Sequence, residues 1–114
     1  MDIESLSKKY LSILKNKIYK ILPLIEEENE FVDKHVKTII DELFGFLWFH
    51  KSLEKDVNFI SLMIMMHSIY DDTFFEDYEH QDIRRKVFHC LNLIDKIIKG
   101  VEEDEDERKP DWII

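Results

Sequence analysis

The sequence contains no alanine, only two glycines and two prolines, and a single cysteine in 114 residues. Each scarcity excludes something. Without alanine, a core has to be assembled from Ile, Leu, Phe and Met, bulky side chains that pack only where their shapes interlock. A lone cysteine, Cys90, excludes an intramolecular disulfide and a thiolate zinc site, and its setting predicts a small buried apolar residue. Long hydrophobic runs are also missing. "LFGFLWF" and "FISLMIMM" fall far short of the roughly 20 residues of a membrane span. The first residues, "MDIESLSKKYLSILKNK", carry no basic stretch followed by an apolar signal core, so a cytoplasmic protein is expected. Positive charge is short as well: 16 Lys and Arg face 25 Asp and Glu, a net −9. That balance argues against direct nucleic-acid binding, which needs clustered cations, and favours a partner with a basic surface.

What is present reads as helix. Ile3, Leu6, Tyr10, Leu14, Ile18 and Ile21 recur at steps of three and four and predict a helix over 3–22, with Asp2 as a cap. Pro23 should end or kink it. A second helix is expected over 29–50 on Val32, Val36, Ile39, Leu43 and Leu47, capped by Asn29. Within it Gly45 either admits a close neighbour or marks a bend. A third, 53–70, is apolar nearly all round in its second half, which suits a central buried element, with His67 as a hydrogen-bonded core histidine. A fourth, 81–99, carries Ile83, Val87, Leu91, Ile94 and Ile98 and should stop at Gly100. No period-two pattern lies outside these segments. The fold class is therefore all-α, a four-helix antiparallel bundle or a related helical packing with an acidic C-terminal tail. Residues 1–100 form the single domain. Residues 101–114, "VEEDEDERKPDWII", form the tail, whose apolar end could dock on the bundle, on a second copy or on a partner.

Chemistry finds little purchase. The residues three before the five histidines are Val32, Leu47, Ile64, Asp77 and Lys86, so the Glu-x-x-His pairs of helical di-metal sites are missing. There is no His-x-x-x-His, glycine-rich phosphate loop or nucleophile elbow. No metal and no cofactor are expected. One pattern does resemble a family. Arg84 and His89 in "RRKVFH" are similar to the Arg-then-His motif of the HEPN ribonuclease superfamily, small four-helix proteins. The resemblance covers six residues and the general architecture. It implies a dimeric ribonuclease in which His89 assists proton transfer at the ribose hydroxyl and Arg84 holds the phosphate. At 100° per residue, however, the two side chains sit about 140° apart on one helix.

The stronger signal is a surface. In "DDTFFEDYEHQD", Asp71, Asp72, Glu76, Asp77, Glu79 and Asp82 alternate with Phe74, Phe75 and Tyr78, with no Lys or Arg among them. A solvated loop with one phenylalanine tucked into the bundle is the plain alternative. "EEENEFVD" at 26–33 adds Glu27, Glu28 and Glu30 among five more carboxylates, and an up-down-up-down bundle would bring both clusters to one end. Asp71, Asp72, Glu76, Asp77, Glu79, Glu27, Glu28 and Glu30 are the expected charged contacts, with Phe75 and Tyr78 as aromatic anchors. The expectation is a non-catalytic protein, a monomer or weak dimer, that occludes a basic protein partner. In kind it resembles bacterial toxin-immunity proteins, which implies a nuclease-type toxin domain as that partner. A module that self-associates through "FGFLWF" or "DWII" is a further alternative.

Overall fold

The computed structural model describes residues 3–74 and 78–107, with side chains over 8–74 and 78–100. The chain folds as an all-α packing of four long helices. They are α1 (Ile3–Tyr19), α3 (Val32–Phe49), α4 (Val57–Asp72) and α5 (His80–Glu107). A short α2 (Ile21–Glu26) extends α1, and a 3-10 turn (Lys51–Lys55) precedes α4. The helices close in a ring, α1 and α4 each packing against both α3 and α5. The 22 × 22 Å cross-section is that of helices two abreast in each direction. Their antiparallel order shows in pairs across the ring: Lys15 bonds Asp95 at 2.7 Å, and eleven residues further along, Glu26 meets Arg84.

Most of the expected stripes are the core. Tyr10, Leu47 and Ile98 are only partly buried, while Leu11 and Ile25 join unexpected. The Ile3 and Leu6 side chains, the Asp2 cap and the "DWII" end lie outside the described residues. Leu11, Leu14, Ile18, Ile21 and Ile25 are buried along α1 and α2, facing Val36, Ile39 and Leu43 of α3. From the other side come Leu62, Met66 and Ile69 of α4 and Ile83, Val87, Ile94 and Ile97 of α5. Tyr10 sits at the margin, stacked on Phe46 at 5.4 Å. Burial and the nearby Glu42 carboxylate raise its pKa, against an opposing pull from Lys17. Cys90 is buried as expected, and burial pushes its thiol up to about 12 from 9.0. Two consequences can be measured. Iodoacetamide at neutral pH should leave the native thiol unlabelled and label it fully in denaturant. Because the folded-state pKa is raised, the neutral thiol's stabilisation is complete below pH 9. It should be lost as pH rises towards about 12, and Cys90→Val should flatten that decline.

Boundaries differ from expectation for local reasons. The Pro23 ring crowds the carbonyl four residues back, so the break falls at Lys20 and the helix resumes through Glu26. Asn29 does not cap α3 directly. Its side chain accepts from the Phe31 N–H at 2.9 Å, turning the chain just before the helix. α4 starts at Val57 because Asp56 accepts from the Phe59 N–H at 3.0 Å, a cap the 53–70 reading overlooked. α5 runs past Gly100 to Glu107, since Gly100 does not take the positive φ that would stop it. Gly45 does not interrupt α3 and admits no neighbour: a Cβ there would meet nothing within 4 Å. Gly45→Ala should accordingly raise stability by about 1 kcal/mol in chemical denaturation. His67 is not a core residue. It lies exposed on α4, its Nδ1 against the Met63 carbonyl at 2.8 Å and its ring edge-on to Phe44.

Candidate functional site

Two connections, α2–α3 and α4–α5, meet at one end of the bundle. The first is shaped by a tight helix stop. The Asn29 N–H donates to the Leu24 carbonyl at 2.9 Å and the Glu28 N–H to the Ile25 carbonyl at 3.0 Å, with Glu28 between them at φ 53°. Such a stop favours glycine, because an L side chain in the left-handed region costs roughly 1–2 kcal/mol. A glutamate there holds strain while it displays a carboxylate. Strain of this sort is retained more readily where the side chain has a use. Glu28→Gly should therefore raise stability by about 1 kcal/mol, read as a higher denaturation midpoint at unchanged slope.

The second connection leaves α4 through Thr73, whose hydroxyl donates to the Tyr70 carbonyl at 2.6 Å. Phe74 follows, exposed, its ring edge-on to Tyr70 at 4.8 Å. The chain re-enters at Tyr78, which is half-buried against the core and stacked on His80 at 5.4 Å. Between the two connections lies an open groove of about 410 Å³, bordered by Glu28, Glu30, Asp33, Phe74, Tyr78 and His80. Among the described residues no ion pair engages Glu27, Glu28, Glu30, Asp33 or Glu79. Their charge faces solvent, with Lys34 nearby but held over the Phe31 ring at 5.1 Å.

The expected residues divide. Glu28, Glu30 and Tyr78 share the groove, and Glu27 and Glu79 are exposed on the connections that frame it. Asp72 is neutralised within the molecule: Lys86 bonds both its carboxylate and the Ser68 hydroxyl. Asp71 points to another face, lining a groove between α3 and α4. Phe75, Glu76 and Asp77 lie outside the described residues. Asp33 and His80 border the groove without having been singled out. Asp33 was legible as the last acid of "EEENEFVD", whereas nothing local marks His80.

The other patterns are also placed. Arg84 and His89 are both exposed on α5. The Arg84 guanidinium lies 5.6 Å from the centre of the Phe88 ring and 3.9 Å from the Glu26 carboxylate. On α1, Lys15 pairs with Asp95 and Lys17 with Glu42 at 2.6 Å, while Lys9, and Lys20 at the break that follows, stay exposed. No cluster of three or more His, Cys, Asp or Glu side chains is placed to hold a metal ion among the described residues. Nor is any helix among them long and apolar enough to cross a membrane. No protein-family model matches the chain, and no curated protein or solved structure is significantly similar to it.

Proposed function

We propose that the chain is a non-catalytic binding protein whose acidic pole covers a basic surface on a protein partner, in the manner of a bacterial immunity protein blocking a nuclease-type toxin. The observation that carries this reading is the meeting of two acidic connections around one groove. Glu28, Glu30 and Asp33 lie on one side, and exposed Phe74 with Tyr78 on the other. Carboxylates of one sign steer a cationic partner into contact, and an exposed aromatic gives the complex an apolar anchor once water is expelled. The strained Glu28 fits the same use. Internal pairing of Asp72 with Lys86 shifts the weight of the surface from Asp71 and Asp72 towards Glu27, Glu28, Glu30 and Asp33.

Affinity capture tests this. Immobilised wild-type chain should retain one stoichiometric basic protein from the source cell at about 0.05 M salt and release it near about 0.5 M. A Glu28→Gln, Glu30→Gln, Asp33→Asn variant should retain none of it. Equal retention by the variant, or RNA cleavage by the purified chain that disappears in His89→Ala, would displace the proposal.

A further inference from the structure

α4 is apolar on nearly every side, yet only one side of it is covered. Phe59, Leu62, Met66 and Ile69 are buried. The opposite stripe steps through Val57, Ile60, Ile64, His67 and Asp71 and faces outward. Beside it on α3, Phe44 and Trp48 stand one turn apart. The exposures are Phe44 47%, Trp48 78%, Val57 75%, Ile60 41% and Ile64 64%. Phe44, Ile60 and Ile64 border one groove. With Val57 and Trp48, at the roughly 150–250 Å² of an aromatic and somewhat less for Val or Ile, the five leave on the order of 600 Å² of apolar surface on this side. That is the upper limit of what a monomer commonly leaves bare.

We infer that this α3–α4 face is a self-association surface, covered by a second copy of the same chain through a two-fold axis. Area is the first argument. With its polar rim of Glu54, His67 and Asp71, the patch approaches the roughly 800 Å² per partner of a standard stable interface. Shape is the second. The face holds a groove of about 630 Å³, floored by Leu47, Leu53 and Met63, and one turn beyond Phe44, which borders it, α3 carries the exposed Trp48. A surface that carries a knob and the groove to receive it is self-complementary and closes as a pair. Charge is the third. With the axis near Ile64, α4 meets its copy antiparallel, and Asp71 of each molecule lies towards the mixed Lys51–Lys55 end of the other, where two lysines flank Glu54. A parallel pairing would set Asp71 on Asp71. The chain's own last residues are a poorer cover, since "DWII" offers three apolar side chains against this face. The surface is separate from the acidic groove, so a dimer formed this way leaves both poles accessible.

Sedimentation of the full chain over a concentration series decides the matter. Wild type should reach about 28 kDa, twice the 13.9 kDa chain. Trp48→Ser and Ile64→Asn should each weaken the dimer about 100-fold while retaining the wild-type helical circular dichroism. Phe88→Ser, on an exposed aromatic of α5 outside the patch, should leave the mass unchanged. A wild-type chain that stays monomeric at all concentrations overturns the inference, as does a dimer that survives both patch substitutions. Hydrogen exchange of wild type alone gives a readout independent of variant folding. Raising the concentration should protect residues 41–49 and 57–67, and protection elsewhere would contradict the proposal.

Discussion

Leu62→Ala should lower the stability of the fold by about 3 kcal/mol or more, measured as the loss in unfolding free energy by urea at constant slope. Leu62 is fully buried on α4 and belongs to the continuous core that joins all four long helices. Removing its branched end costs the transfer energy of the lost carbons and leaves a cavity besides. How much of that cavity closes depends on the neighbours, and this sequence has no alanine anywhere. Its core is almost wholly of large side chains, which fill a hole only by leaving their rotamers. The loss should thus fall in the upper part of the range for such substitutions. Against a total stability of about 5–15 kcal/mol for a domain, it is large enough to leave a substantial unfolded population on mild heating. Leu62→Met keeps most of the volume and should cost less than about 1.5 kcal/mol.

Neutralising Glu28, Glu30 and Asp33 together should leave the fold intact and act on binding. These side chains carry no ion pair among the described residues, so neutralising them breaks none. The one local cost is at Asp33, whose charge in the first turn of α3 favours the helix N-terminus by about 0.3–1 kcal/mol. Replacing Glu28 by Gln keeps the left-handed strain, so the triple variant should melt close to wild type. On the proposed reading its association rate with a basic partner should fall about 10–100-fold at low salt. The difference should shrink as salt is raised past about 0.15 M, because exposed charges act over about 8 Å there. Phe74→Ala should do the reverse, raising the dissociation rate with little change in association.

Much of this molecule was legible from spacing. The stripes through Leu14 and Ile18, Val36 to Leu43, and Ile83 to Ile94 are the core because steps of three and four fix one face of a helix, whatever it packs against. The burial of Cys90 followed from its being a small apolar side chain in a predicted helix. What spacing could not fix was how much of a uniformly apolar helix would be covered. α4 looked central from its composition, yet the ring covers one side and leaves Ile60, Ile64 and His67 outside. The acidic groove was readable only in part, for the same reason. Two acidic connections were evident in the sequence, but their meeting depends on helix order, and the internal pairing of Asp72 depends on Lys86 of α5 lying within reach of the end of α4. Gly45 and Gly100 show the limit of residue signals. Glycine permits a close approach or a stop, and here the backbone uses neither.

The most direct measurement is backbone amide shift mapping of the isotope-labelled chain, titrated with the protein that affinity capture retains. Shifts confined to residues 26–33 and 74–80, and lost in the Glu28, Glu30, Asp33 triple variant, are the expected result. Shifts centred instead on Lys9 and Lys20, or around Arg84 and His89, would contradict the acidic pole as the binding surface.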